Sequence, residues 1–303
     1  MAYNTSGMVR AMPWVFVLIW STGFVVARFG MPHSPPLTFL CIRYALSLVC
    51  LGVWVRLARA PWPSGRRQWL HLGVTGVLIH AGYLGGVWSA VKAGIGAGTV
   101  SLLVGLQPVL TALWLARHPP RSDAGAAVDS LSHRQWAGLA LGLVGLLLVI
   151  WRKLGVGELT PWNVGLALAA LLSITVGTLY QKRHLAPCDV RTASSVQLLA
   201  ALAVTLPLAL FENEAVQLHP ELIGAMAWSV LGLTLGGSSL LYLLIQRGAA
   251  TQVTSLMYLV PPCTALLAWA LFGESFTPLM LLGLALTAIG VAWVTAPARA
   301  TIA

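Results

Sequence analysis

GIGAGTVSLLVGLQPVLTALWLA (94–116) and GAATQVTSLMYLVPPCTALLAWALFGE (248–274) are the two stretches on which the fold turns. Each is an apolar run on the scale of a bilayer crossing, which takes about 20 mostly apolar residues in a helix. With a shift of 154 positions, Gly94 meets Gly248, Ser101 meets Ser255 and Pro108 meets Pro262. The same shift pairs Gly23 with Gly177, Thr38 with Thr192 and Gly82 with Gly236. Beyond Pro108 the register changes to 145, where Gly138 meets Gly283 and Gly145 meets Gly290; the longer 117–135 connection of the first half takes up the difference. A repeat at fixed spacing speaks to architecture before any single motif does.

Outward from these two stretches, apolar windows fill nearly the whole chain: 13–30, 36–55, 70–91, 95–116, 136–151, 161–180, 190–211, 222–245, 248–272 and 278–295. Helices are the natural form, because lipid offers no partner to a bare backbone amide. Barrel strands would alternate in period two, and a run such as LGLVGLLLVI (141–150) does not. Five windows fall in each half. Five is odd, so the second half enters the membrane from the opposite side, a construction common among secondary transporters. The expected fold is therefore an all-α integral membrane protein of ten transmembrane helices. They form two inverted five-helix repeats, 13–151 and 161–295.

Composition agrees. Hydrophobic residues make up 58% and charged residues 9% of 303, against roughly 25% charged in a soluble domain. The formal charge of +10 would suggest nucleic acid in a soluble chain; here it reads as topology, and no nucleic-acid partner is expected. With the N-terminus in the cytoplasm, 13 of the 18 basic residues fall on the cytoplasmic side and Lys92, Arg152 and Lys153 outside, while Arg28 and Arg43 lie within helices. The positive-inside rule thus puts both termini in the cytoplasm. Glu158, Glu212, Glu214, Glu221 and Glu274 then all face outward. The N-terminus shows no small-residue cleavage site and reads as an uncleaved first helix. Cys41, Cys50, Cys188 and Cys263 show neither metal spacing nor a disulfide framework and read as small core filler.

With these features together, the segments 94–116 and 248–274 resemble the fourth and ninth helices of the drug/metabolite transporter superfamily, EamA branch. IWSTGFVVAR (19–28) resembles its first helix, PPLTFLCIRYALS (35–47) its second, and Gly273–Glu274 closes the ninth helix as in that family. The first-half counterpart of that Gly-Glu is missing; Arg117 and His118 stand there. The resemblance covers roughly 13–295 and implies a ten-helix bundle that moves small organic solutes, mostly outward. It does not name the solute. The location expected is the bacterial cytoplasmic (inner) membrane, with the bilayer and a small-molecule solute as partners and a monomer or homodimer as the assembly.

Several residues are candidates to line a solute site. Pro108 and Pro262 each remove a backbone hydrogen bond from a long helix, which makes 104–108 and 257–262 candidate cavity walls and hinges; a static kink is the competing reading. His80 is an ionisable group in mid-span, with Tyr83 at i+3 and Gly73 and Gly76 on the same face, suited to solute contact or to helix packing. Arg43 lies about 10 Å below the outer end of its helix at 1.5 Å per residue, and its equivalent at +154 is Gln197. A solute carboxylate or a structural polar clamp would each suit it. Trp20, Trp88, Tyr242 and Tyr258 are placed for ring stacking on a solute or for packing, and Ser101 and Ser255 complete the set.

Absences shape the function as well. Asp and Glu are missing from the central part of every window, so a carboxylate proton relay has no residue to run on. No Walker lysine motif, HExxH or other metal-ligand cluster occurs, and neither catalytic residues nor a cofactor are expected. A secondary carrier working by alternating access is the reading that follows. The alternatives are a membrane-embedded enzyme acting on lipid or isoprenoid, for which His80 with Ser101 is the sole starting pair, and a non-transporting sensor or partner subunit.

Overall fold

A computed structural model of the chain describes residues 5–117, 133–154, 158–237, 239–240, 259–274 and 277–295. Helices occupy every window anticipated above, as far as the described residues reach. They are α1 (Thr5–Gly30), α2 (Pro36–Ala58), α3 (Arg66–Gly76), α4 (Gly85–Lys92), α5 (Ala97–Val104), α6 (Gln107–Arg117), α7 (His133–Leu154), α8 (Pro161–His184), α9 (Val190–Ala209), α10 (Pro220–Ala227), α11 (Val260–Phe272) and α12 (Pro278–Thr295). Two π-helical segments join them, Val77–Leu84 between α3 and α4, and Trp228–Gly237 after α10. Among the described residues, five continuous spans are long and apolar enough to cross a membrane: Ala11–Gly30, Pro36–Ala58, Arg66–Lys92, Pro161–His184 and Val190–Ala209.

The helices begin where their local chemistry says they should. Thr160 caps α8 in a reciprocal capping box with Asn163, and Pro161 follows at a position where a missing N–H costs nothing. Proline opens α2 and α10 in the same way. Their outward faces carry apolar side chains such as Val49, Leu57, Leu199 and Leu206. That is the face a lipid-embedded bundle presents.

Equivalent residues of the two halves trade places in the packing. A Cβ on Gly145 of α7 would lie 2.5 Å from the carbonyl oxygen of Gly283 in α12, and one on Gly290 of α12 would lie 2.5 Å from that of Gly138 in α7. Gly138 matches Gly283 and Gly145 matches Gly290, so the two contacts exchange under the repeat, as a two-fold relation requires. Small residues are what allow membrane helices to approach this closely. The span Arg66–Lys92 follows the same logic. Gly73 and Gly76 meet Ala200 and the Gln197 backbone of α9, and Gly86 meets Ala170 of α8.

The prolines behave differently from the kink expected within a continuous helix. The fourth window is broken outright: α5 stops at Val104, and α6 starts at Gln107 with Pro108 in its first turn. Pro261 and Pro262 likewise sit in the first turn of α11. Proline at a helix start forfeits no intrahelical bond, so the break moves to the residues just before it. The break at 105–106 lies against the start of α11, because a Cβ on Gly105 would lie 2.8 Å from Pro261 Cγ.

Candidate functional site

Four elements converge in the interior on one polar cluster. Arg43 of α2 is buried, 7% exposed, and its guanidinium donates to the Thr234 hydroxyl at 3.4 Å. Thr234 in turn donates to the carbonyl of Ser229, five residues back, as π-helical geometry permits. Its oxygen is thereby left to accept. Opposite, the side chain of Gln197 of α9 stands beside that of His80. Tyr44 and Tyr83 are both buried, and both stand within electrostatic reach of Arg43. Tyr44 donates to the His80 carbonyl at 2.8 Å and sets its ring edge-on to the imidazole, with centroids 6.2 Å apart.

This cluster is built twice. The 154-residue shift takes Arg43 to Gln197 and His80 to Thr234. The Arg43–Thr234 pair and the Gln197–His80 pair are therefore the same juxtaposition made by opposite repeats. The shift also carries Val77–Leu84 onto 231–238, overlapping the second π-helical segment. Each π segment thus holds one partner of the pair: His80 in the first, Thr234 in the second. A π turn is rare, leaves the backbone wider than an α turn, and recurs at functional sites. Thr234 is the residue sequence reading missed, although the shift applied to His80 points straight at it.

The other candidates are distributed as follows. Tyr83 belongs to the cluster. Trp88 is 1% exposed and stacks on Phe39 at 4.4 Å, packed in the core beneath the α1–α2 connection. Trp20 is 36% exposed and pairs with Phe16. Ser101 is buried and donates to the Gly98 carbonyl of its own helix at 2.8 Å. Pro108 and Pro262 mark the two helix starts already described. Tyr242, Ser255 and Tyr258 lie outside the described residues.

The cluster lies between two rims. At one, Glu212 accepts from the backbone of Leu37 and Thr38 and from the Thr38 hydroxyl, all between 2.7 and 2.9 Å, closing the N-terminus of α2. A helix N-terminus favours such a carboxylate. Glu158 and Glu274 do the same for α5: Glu158 accepts from Gly96 N and Thr99 Oγ1, Glu274 from Ala97 N. Gly273, in the left-handed conformation at φ +65°, ends α11 immediately before Glu274. Lys92, counted among the outside basic residues, pairs with Glu214 at 2.5 Å and donates to the Met31 carbonyl at 3.0 Å. All five glutamates assigned to the outer face thus gather at one rim with the 30–36 and 92–97 connections.

The opposite rim is pinned by the residue equivalent to Thr38. Thr192 donates to the carbonyls of Pro61 and Asp189 at the start of α9. Asp189 caps α9 and receives Arg191 Nε at 3.0 Å and Nη2 at 2.6 Å, while Arg191 also lies 5.5 Å above the Trp54 ring. The Arg191 hydrogen bond holds the Asp189 carboxyl below its ordinary pKa of 3.8. A depressed folded-state pKa means that the stabilising effect is complete above the ordinary value and is lost as pH falls through the lower one. D189A is therefore expected to destabilise the protein by about 1 kcal/mol at pH 7. Thermal unfolding in detergent should show the difference from wild type shrinking as the pH is lowered past 3.8; an unchanging difference would contradict this account.

Comparison with known proteins agrees with this architecture. The model of the EamA-like transporter family matches residues 11–117 and again 161–296. A "Probable amino-acid metabolite efflux pump" of Salmonella typhimurium is 28% identical over 286 residues, covering 90% of this chain and 90% of that protein. The "Uncharacterized inner membrane transporter YedA" of Escherichia coli K12 is 25% identical over 281 residues, covering 92% of this chain and 87% of its own length. A solved structure, "Crystal structure of protein", aligns with a TM-score of 0.64 at 21% identity over 95% of this chain and 96% of that one, which speaks to the fold alone. These relatives are transporters and lend no support to the enzyme alternative. Two family segments, an all-helical membrane bundle and a polar centre made of repeat-equivalent pairs lead to one conclusion: the chain belongs to the EamA-like transporter family.

Proposed function

We propose that this transporter exports small carboxylate-bearing metabolites of the amino-acid class across the cytoplasmic membrane by alternating access, with both termini in the cytoplasm and a monomer or homodimer as the assembly. The observation that carries the solute class is Arg43. It is a buried cation whose described polar contact is one neutral hydroxyl at 3.4 Å, and no carboxylate of the described residues is paired with it. A charge held in the interior without a partner of opposite sign is costly, and a guanidinium matches a carboxylate in bidentate geometry. The relatives named as amino-acid metabolite efflux pumps support the same class.

In this reading the repeats are 13–151 and 161–295. Arg43 receives the solute carboxylate, and His80, Tyr83, Gln197 and Thr234 surround it. Tyr242, Ser255 and Tyr258 are further solute contacts in this proposal, and Pro108 and Pro262 sit at the helix starts that move. Trp20 and Ser101 flank the path, and Trp88 backs it from the core. The outer rim opens by releasing Glu212 from Thr38, and the inner rim by releasing Thr192 from Pro61; alternation consists in never releasing both.

The test is exchange in proteoliposomes. Loaded with amino acids, the purified protein should exchange them, and the matching decarboxylated amines should be carried at least about 30-fold less well, the low end of what a buried charge contact is worth. Equal transport of amines would overturn the proposed solute class.

A further inference from the structure

The outer rim holds a group of side chains that the transport site does not use. His33 lies in the connection between α1 and α2, and His219 and Glu221 lie at the start of α10. Far apart in sequence, they meet in space. His33 Nε2 is 3.1 Å from Glu221 Oε2, and His219 Nδ1 is 3.9 Å from the same oxygen. The imidazole rings stack with centroids 4.1 Å apart and 13° between planes. One ligand atom from each residue falls within 4.8 Å of the other two. The backbone holds them there: Gln217 N donates to the His33 carbonyl at 2.8 Å, and His219 caps α10.

We propose that His33, His219 and Glu221 form a binding site for a divalent transition metal, Zn²⁺ in the first instance, and that the ion clamps the outer rim shut. Two imidazoles and one carboxylate are a donor set suited to zinc, with a fourth position open to water. Zinc–ligand distances are about 2.0–2.2 Å, so tetrahedral ligands stand roughly 3.3 Å apart. The His33–Glu221 separation already satisfies that; the His219 ring, stacked on His33 and accepting from Glu221 N at Nδ1, must turn out of the stack to bring a lone pair to the ion. His33 belongs to the first half and the other two to the second, so the ion bridges parts that must separate when the outer face opens. An ion that binds only the closed rim shifts the population towards it.

The clamp rests on the alternating-access reading; the site itself does not. Two measurements keep them apart. Titration calorimetry with ZnCl₂ on the full chain in detergent, free of any polyhistidine tag, should give one site per chain. H33Q should weaken it roughly tenfold or more, an effect of the size seen when a metal site loses a supporting contact. H219N should weaken it similarly, while its side chain still caps α10. Thermal unfolding without metal confirms that both variants remain folded. In the second measurement, Zn²⁺ on the outer side of proteoliposomes should slow wild-type exchange and leave H33Q unaffected, with Mg²⁺ inert towards both. No zinc binding by wild type, or binding by either variant as tight as that of wild type, would overturn the site. Zinc binding through these residues without inhibition would overturn the clamp.

Discussion

R43Q is expected to lose carboxylate transport by roughly 30-fold to several thousandfold while unfolding at the same temperature as wild type or a higher one. The first half of that statement follows from what a desolvated charge–carboxylate contact contributes, about 2–5 kcal/mol, at 1.4 kcal/mol per tenfold. The second follows from burial. Arg43 is 7% exposed, and its hydrogen bond among the described residues is a long one to the neutral Thr234. Without solute, its charge is a liability that the fold carries, and replacing a buried, poorly compensated ion by a neutral group relieves it. A structural clamp would behave in the opposite way: removing it would lower the melting temperature. Thermal unfolding in detergent, paired with proteoliposome exchange, separates the two. A destabilised R43Q that still transports would refute the role assigned to Arg43.

G145L and G290L are each expected to destabilise the bundle by about 3 kcal/mol or more, the upper end of what overpacking costs. At both positions even a Cβ meets main chain of the facing helix: Gly283 O at 2.5 Å for Gly145, and Gly138 O and Gly142 N at 2.5 Å for Gly290. A backbone atom cannot rotate away, so α7 and α12 must separate. The double variant should cost less than the sum of the two, because a seam once opened is not opened again. Gly165 of α8, whose Cβ position has nothing within 4 Å, is the control, and G165L should be tolerated. Melting temperatures and folded yield measure all four. If G145L matched G165L, the seam would not be the contact described.

Arg43 and Gly145 also show how far the sequence can be read. Gly138/Gly283 and Gly145/Gly290 stood out as repeat partners because glycine is conspicuous in apolar sequence, and a close helix crossing has few other solutions. Arg43 stood out because a cation in a span is rare, and its partner Gln197 followed from the shift. Thr234 did not stand out, since a lone threonine in an apolar helix resembles any other, and only its bond to Arg43 marks it. The break at 105–106 was half legible: Pro108 announced a disturbance, but whether a helix kinks or restarts depends on what packs beside it, here Pro261 against Gly105.

Apolar length, the odd number of spans per half and the placement of lysine and arginine were enough to decide membrane class, helix positions and the duplicated plan. These depend on how each segment partitions between water and lipid, a property it has on its own. Folding in three dimensions decided the rest: the wide π turns that carry His80 and Thr234, the exchange of Arg43 and His80 between repeats, and the meeting of His33 with Glu221 across 188 positions of chain. Those depend on which helix faces which, and on the angle at which it does so. Contacts between surfaces leave no periodic trace in a chain where nearly every residue is apolar.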